Sequence, residues 1–224
     1  MKSRLSLVPR MFACAIVVTV ALRGGASANA NGLRGELFVV DPGHGTRYPD
    51  RSPLNVGAVG PGGLEEQRVV LDVGEKLAAL LRAAGARVVL TRSHSTPFRV
   101  ASDKRLDNRA RAALANRLGA TAFIALHADS SLDPAAHGTS VFWLRGNSVP
   151  LANAVRRGLA PLGLGEAAFH ARDLAVTSEA RVPAVLVELG FVSNPRDARD
   201  LASPAFQDRE AQALFNAIAD TFAR

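Results

Sequence analysis

The chain has 224 residues, of which 48% are hydrophobic, and it carries a formal charge of +7 at pH 7. This length and apolar content suit one globular domain with a full-sized core. The single cysteine, Cys14, excludes a disulfide framework and a zinc site built from several thiolates.

The first 28 residues have the features of a secretory signal peptide. The basic residues Lys2, Arg4 and Arg10 precede the apolar stretch Met11–Leu22. The small residues that follow offer two alternative cleavage sites, after Ala28 or after Ala30. We therefore expect removal of residues 1–28 and export to the periplasm, the extracellular space or the cell wall. The apolar stretch is too short for stable membrane insertion, and the context of Cys14 does not match a lipid anchor.

Removing this segment changes the charge and the available chemistry. Residues 1–28 carry four basic residues and no acidic one, so the formal charge falls from +7 to +3. This excess favours solubility and weak attraction to an anionic envelope polymer, but it is too small to indicate binding of nucleic acid. The remaining chain has no cysteine, so any metal must be held by histidine and carboxylate side chains.

From residue 36 onward, the apolar pattern alternates between short strands and longer helices. Predicted strands cover Glu36–Val40, Arg87–Leu90, Ala122–Leu126, Thr139–Leu144 and Ala184–Leu189. Predicted helices cover Glu66–Ala84, Leu106–Leu118, Val149–Leu159 and Pro204–Ala223. The alternation predicts a single α/β domain over residues 36–224, with a mainly parallel mixed sheet flanked by helices on both faces.

One long loop interrupts the alternation of predicted strands and helices. Residues 46–63 contain three prolines and four glycines, at Pro49, Pro53, Gly57, Gly60, Pro61, Gly62 and Gly63. Loops of this length inside compact domains are usually functional or disordered. Because the loop connects a predicted strand to the first helix, we expect it to border a functional site.

Polar side chains stand where three predicted strands run out. His44 follows the first strand, His127 follows the third, and Glu188 closes the apolar run that begins at Ala184. In open α/β sheets, ligands collect in the crevice beyond the carboxyl ends of the strands. Catalytic zinc usually takes three protein ligands from His and Asp or Glu, so two histidines require a carboxylate. Glu65 and Glu66 both stand at the start of the first helix, and periodicity does not choose between them.

Other polar residues are given ordinary structural roles. His94, His137 and His170 are interpreted as solvated histidines and not as metal ligands. Arg109 is interpreted as an ion-pair partner of its helix neighbour Asp107, with a role near the site left open. Asp129 and the pair Ser193–Asn194 are either capping groups or groups close to the site. Ser130–Ser131 lacks the Gly-x-Ser-x-Gly pattern of a serine hydrolase.

From about Phe38 to the C-terminus, the chain resembles the zinc-dependent N-acetylmuramoyl-L-alanine amidases of the type-3 amidase family, which cleave bacterial peptidoglycan. Five motifs in the same order carry the resemblance: Asp41–Gly45 (DPGHG), Glu66–Leu71 (EQRVVL), Asp107–Ala110 with Ala115–Asn116, Leu126–Asp129 (LHAD) and Pro183–Asn194 (PAVLVELGFVSN).

The resemblance implies a role for each site residue. His44, Glu66 and His127 would hold one Zn²⁺, with Glu66 chosen over Glu65 by the residues that follow it. Glu188 would be the catalytic general base, and metal-bound water the nucleophile. The implied reaction is hydrolysis of the amide between N-acetylmuramic acid and L-Ala of the stem peptide, with peptidoglycan as the partner.

Two departures from the family pattern affect regulation and substrate contacts. The usual Gly-Gly after the histidine is replaced by Gly45–Thr46, and the loop before Glu66 is longer than is common. Regulated family members carry a helical insert between the strand near Trp143 and the strand of Glu188, and that interval is short here. We therefore expect activity without an activator protein. A wall-binding pseudoenzyme and a zinc peptidase that cuts elsewhere in the stem remain alternatives.

Overall fold

The computed structural model describes residues 32–48, 53–99 and 107–223. The predicted signal peptide, residues 1–28, lies outside the described residues, as do Leu106 and part of the long loop. None of the helices in the described ranges is long and apolar enough to cross a membrane.

A six-stranded mixed sheet forms the centre of the domain. Its strands are β1 (Leu37–Pro42), β3 (Arg87–Leu90), β5 (Ala122–Asp129), β6 (Thr139–Trp143), β7 (Glu166–Ala171) and β8 (Ala184–Phe191), in the order β3-β1-β5-β8-β6-β7. All neighbouring pairs are parallel except β6 with β8. A separate parallel pair joins β2 (Thr46–Arg47) to β4 (Phe98–Arg99). The carboxyl ends of β1, β5 and β8 therefore lie at the same edge of the sheet.

Helices cover both faces of the sheet and enclose two apolar cores. The helices are α1 (Glu66–Ala83), α2 (Asp107–Leu118), α3 (Val149–Leu159), α4 (Ala175–Glu179), α5 (Pro195–Leu201) and α6 (Pro204–Phe222). Because successive strand residues face opposite ways, Ile124 and Val187 pack in the core with α1, α3 and α6, whereas Phe123 and Leu186 pack in the core with α2 and α4. The fold class predicted from the sequence is confirmed.

The structure also contains elements that the apolar pattern did not predict. β7 is an edge strand whose residues are exposed or half-buried, and α4 and α5 have only five and seven residues. Elements this short or this polar give little periodic signal. β5 and β8 also continue past their predicted ends, to Asp129 and Phe191. His127 therefore lies inside β5, near its carboxyl end, and not after it. Glu188 lies inside β8, as predicted.

A buried acid in α6 stands apart from this apolar packing. Glu210 is fully buried, and neither carboxylate oxygen has a hydrogen-bond partner among the described residues. Burial raises the pKa of Glu210 well above its usual range, and the negative charges of Asp200 and Asp197 act in the same direction, against Arg209. The fold therefore favours the protonated, neutral form of this side chain.

This burial predicts a pH dependence of stability. The folded state holds the Glu210 proton to higher pH than the unfolded state, so its stability is complete below the unfolded pKa and declines as pH rises toward the folded pKa. Glu210→Gln stays neutral throughout, and we expect its Tm to exceed that of the wild type increasingly from pH 5 to pH 9, by about 2–4 °C for each kcal/mol gained. Thermal unfolding across this range is the measurement. Asp220→Asn, at an exposed position of the same helix, should leave the pH profile unchanged, and an unchanged profile for Glu210→Gln would contradict the prediction.

Candidate metal centre

The turn after β1 holds His44 in a backbone conformation that few side chains adopt. His44 has φ of 58° and is followed by Gly45 at 65°. The amide of Gly43 donates to the Leu126 carbonyl at 2.8 Å, which ties the turn to β5. A Cβ added to Gly43 would lie 2.4 Å from the ring of His127, so the glycine permits the two segments to approach.

A buried arginine supports this turn from below. Arg111 of α2 donates to the His44 carbonyl and to Thr46 Oγ1, each at 2.6 Å. Its guanidinium also donates to Asp41 at 2.7 Å and to Asp107 at 2.8 Å, so its charge is balanced by two carboxylates. Because Arg111 bonds the backbone of a ligand-bearing turn, it connects α2 directly to the position of His44.

The expectation that Arg109 pairs with Asp107 is wrong. Arg109 is exposed, and the partner of Asp107 in the same helix is Arg111, four residues along the chain from the acid. Residues four apart lie on one helix face, whereas residues two apart do not. Helical geometry therefore selects Arg111 for the interior.

Three of the side chains singled out in the sequence converge on one point. Glu66 Oε1 lies 3.0 Å from His44 Nε2 and 3.0 Å from His127 Nδ1. The two imidazole rings meet edge to face with centroids 4.9 Å apart. Glu65 faces away, and its Oε2 accepts from Gln67 at 2.8 Å and lies 3.1 Å from Arg68 Nε. Of the two candidate glutamates, the structure thus brings Glu66 to the histidines.

The long loop orients these side chains. Asn55 Oδ1 lies 3.1 Å from His44 Nδ1, which leaves Nε2 as the nitrogen that faces Glu66. The amide of Ala58 donates to Glu66 Oε2 at 2.9 Å, and the amide of Ala128 donates to Oε1 at 3.1 Å. Asn55 and Ala58 were not identified from the sequence, because an asparagine and a backbone amide inside a loop carry no distinguishing pattern.

The pKa values of the cluster follow from these contacts. Burial alone raises the pKa of Glu66, but hydrogen bonds from His127 and His44 and their charges outweigh it, so the net pKa is lowered. Burial lowers the pKa of His44, and its hydrogen bond and charge interaction with Glu66 raise it overall. Glu66 is therefore held as a carboxylate, the form that binds a cation.

The candidate donor atoms lie close enough together to hold one metal ion. Ligand atoms of His44, Glu66 and His127 all lie within 4.8 Å of one another. Donors bound to zinc at tetrahedral angles stand about 3.3 Å apart, close to the 3.0 Å separations from Glu66 to each histidine. His127 Nε2 is buried without a hydrogen-bond partner within the described part of the chain. Two imidazoles and one carboxylate also form a donor set that suits zinc and leaves a fourth position open.

Glu188 stands beside this cluster and is not part of it. It is the register partner of His127 in the parallel pair β5–β8, so both side chains leave the same face of the sheet. Its Oε2 is buried and has no hydrogen-bond partner in the ranges that the structure describes. Burial raises the pKa of Glu188 well above its usual range, and the charges of Asp129 and Glu66 raise it further, against Arg172.

The remaining candidates lie away from the cluster or cap local structure. His94 is an exposed side chain between Asp72 and Glu75, and His170 is exposed on the edge strand. His137 faces the Leu164 carbonyl. Asn194 accepts from the amides of Arg196 and Asp197 at the start of α5, and Ser193 Oγ accepts from the Ser131 amide. Asn194 therefore caps α5, which is one of the two roles expected from the sequence.

Comparison with known proteins identifies one family. The family described as N-acetylmuramoyl-L-alanine amidase matches residues 38–220. The amidase LytC of Bacillus subtilis is 31% identical over 189 residues, which cover 82% of this chain and 35% of LytC. The amidase AmiA of Escherichia coli is 28% identical over 83% of this chain and 76% of its own length. The chain thus spans about a third of LytC, and 62% of the probable cell wall amidase LytH of Staphylococcus epidermidis.

Solved structures agree with the sequence comparison. The amidase AmiC2 of Nostoc punctiforme superposes with a TM-score of 0.72 at 31% identity, covering 84% of this chain and 98% of AmiC2. The amidase Ami1 of Mycobacterium smegmatis superposes with a TM-score of 0.71 at 27% identity, covering 85% and 98%. The similarity therefore extends over nearly the whole of each neighbour.

The packing around Glu66 generates a test with a matched control. A Cβ at Gly57 would lie 2.4 Å from Glu66 Oε2, whereas a Cβ at Gly62 would meet nothing within 4 Å, although φ is 72° and 71° respectively. Both alanine variants should lose about 1–2 kcal/mol through backbone strain. If Glu66 is a zinc ligand, only Gly57→Ala should also weaken zinc binding, by roughly tenfold or more, because it displaces that carboxylate. Isothermal titration of metal-free protein measures this, and equal zinc affinities for the two variants would contradict the described role of Glu66.

Proposed function

Because this chain belongs to the N-acetylmuramoyl-L-alanine amidase family, we propose that it is a zinc-dependent hydrolase of bacterial peptidoglycan. Its substrate bond is the amide between N-acetylmuramic acid and L-Ala of the stem peptide. The proposed ligands are His44, Glu66 and His127, and the proposed general base is Glu188. The protein acts outside the cytoplasm after removal of residues 1–28, in keeping with relatives named as cell wall amidases.

One observation carries this proposal more than any other. Two imidazole nitrogens and a carboxylate oxygen converge within 4.8 Å, and a further carboxylate, that of the half-buried Glu188, occupies the neighbouring register position. Metallohydrolases need a cation site with an open position and a base next to it. A wall-binding protein without enzymatic activity has no need of Glu188 beside the metal ligands.

The reaction assigns a task to each side chain. Zinc, when bound, supplies Lewis-acid polarisation of the amide carbonyl and lowers the pKa of water. In its carboxylate form, which the charge of a bound cation would favour, Glu188 accepts a proton from the attacking water as the new carbon–oxygen bond forms. As the carbon–nitrogen bond breaks, the same carboxyl group returns that proton to the leaving nitrogen of L-Ala. Asn55 holds His44 in one ring orientation, and the Ala58 and Ala128 amides hold Glu66.

The interval between β6 and β8 supports activity without an activator. Its helices are α3, which packs on α6, and α4, which packs on α2. Both belong to the layers that cover the sheet. We propose that no further partner is needed to expose the metal centre for catalysis.

Product analysis tests the proposed reaction. Purified protein lacking residues 1–28 is incubated with purified peptidoglycan, with zinc or with a chelator, and the products are identified by mass spectrometry. We expect stem peptides with a free N-terminal L-Ala in the presence of zinc only. Cleavage within the stem would reassign the protein as a zinc peptidase, and undigested peptidoglycan in both samples would contradict an amidase that works alone.

Three glutamate-to-glutamine variants separate the proposed roles. Glu66→Gln should weaken zinc binding by at least about 100-fold, beyond the usual cost of losing a supporting hydrogen bond, and abolish activity. Glu188→Gln should bind zinc normally but lose about 10²–10⁴-fold in kcat, because a proton acceptor is missing. Glu65→Gln, next to the ligand and facing Arg68, should retain both properties. Zinc titration and kcat are measured on each variant, and full activity of Glu188→Gln would exclude it as the base.

A further inference from the structure

A second buried arginine lies under the metal centre, after β3. Arg92 is only 4% exposed, although it bears a charge. Its Nε donates to the Pro42 carbonyl at 2.8 Å, and its Nη2 donates to the carbonyls of Gly43 and Gln67, each at 2.7 Å. A planar guanidinium presents its donors in a fixed fork, so it holds several acceptors in a defined arrangement.

These carbonyls belong to two segments that each carry a proposed zinc ligand. Gly43 immediately precedes His44 in the turn after β1, and Gln67 immediately follows Glu66 at the start of α1. Arg92 is therefore a direct link between the segments that hold the two ligands. Its side chain fills the space next to Gly45, where a Cβ would lie 2.6 Å from the guanidinium carbon.

We propose that Arg92 is a positioning residue that fixes the separation of His44 and Glu66 and so prepares the centre for a metal ion. The inference rests on the proposed function, because it takes His44, Glu66 and His127 as the zinc ligands. It adds a residue that acts through the backbone of the two ligand segments.

A positioning role and a purely electrostatic role of Arg92 predict opposite changes in zinc affinity when its side chain is removed. Arg92 is a cation near a site for a divalent cation, so its electrostatic effect alone opposes metal binding. Removing the charge would then strengthen zinc binding. Loss of three carbonyl contacts would instead free the ligand segments to move, and zinc binding would weaken. The sign of the change in affinity therefore distinguishes the two effects.

Metal affinity of the variant Arg92→Met is the direct test. Zn²⁺ and Co²⁺ affinities are measured on metal-free protein by competition with a chelator, together with the Tm of the metal-free form and the visible spectrum of the Co²⁺ form. We expect Arg92→Met to bind both ions roughly 10–100-fold more weakly, with an altered Co²⁺ spectrum. Zinc binding as tight as in the wild type, or tighter, would overturn the proposal.

A control removes an exposed arginine that also donates to backbone carbonyls, elsewhere in the fold. Arg145 donates to the carbonyls of Ala180 at 2.8 Å and Ser178 at 3.0 Å, away from the metal centre. Arg145→Met should lower the Tm without changing metal affinity. An equal loss of affinity in this control would show that general destabilisation explains the effect, and would also overturn the proposal.

A second variant decides the question if Arg92→Met does not fold. Arg92→Lys keeps the charge and most of the volume, but one ammonium group cannot reproduce the planar fork. We expect Arg92→Lys to fold and to bind zinc about tenfold more weakly, within the range for lost supporting contacts. Full wild-type affinity would refute positioning by the fork. Failure of the wild-type protein itself to bind zinc would instead reject the proposed function.

Discussion

One carboxylate oxygen, Glu66 Oε1, lies 3.0 Å from a nitrogen of His44, in the turn after β1, and 3.0 Å from a nitrogen of His127, in β5. The oxygen is buried, and a buried carboxylate is costly unless positive charge and hydrogen bonds compensate it. His44, His127 and the amides of Ala58 and Ala128 supply that compensation. The position of Glu66 consequently depends on β1, β5 and the long loop together.

The parallel sheet makes this convergence achievable. β1 and β5 are neighbours and end at the same edge, so His44 and His127 approach each other although they are far apart in the sequence. β8 pairs with β5 on the other side and places Glu188 next to His127. The start of α1 then brings Glu66 over the strand ends. His44 just after β1, His127 in β5 and Glu188 in β8 stand at this edge, while earlier residues of the strands build the two apolar cores.

Sequence patterns predicted the long, periodic elements and the residue types of the centre. α1, α3 and α6 have apolar residues at helical spacing, and β1, β5 and β8 are buried apolar runs, so burial alone determines them. β7 and the short helices gave no such signal. Motif resemblance, and not periodicity, chose Glu66 over Glu65. Those choices of ligand and base stand as proposals, although the structure brings the ligand residues together.

The supporting residues could not be predicted in the same way. Arg92 donates to three backbone carbonyls, and Arg111 donates to the His44 carbonyl as well as to three side chains. Backbone acceptors leave no pattern in the sequence. The pairing of Asp107 with Arg111, not Arg109, follows from helical spacing within the predicted helix, whereas the contacts of Arg111 with Asp41 and the His44 carbonyl do not. Asn55 lies in a loop and exchanges backbone hydrogen bonds with Gly45 and Thr46. These side chains become visible only once the strands are assembled.

His44, Glu66 and His127 are proposed to form one zinc site with Glu188 beside it. Anomalous diffraction at the zinc K edge, from crystals of the protein grown with zinc, tests this claim most directly. We expect one strong peak about 2.0–2.2 Å from a donor atom of each of the three ligands, with Glu188 beyond bonding distance. A peak at another cluster of side chains, or one in this cluster without Glu66 as a ligand, would contradict the account.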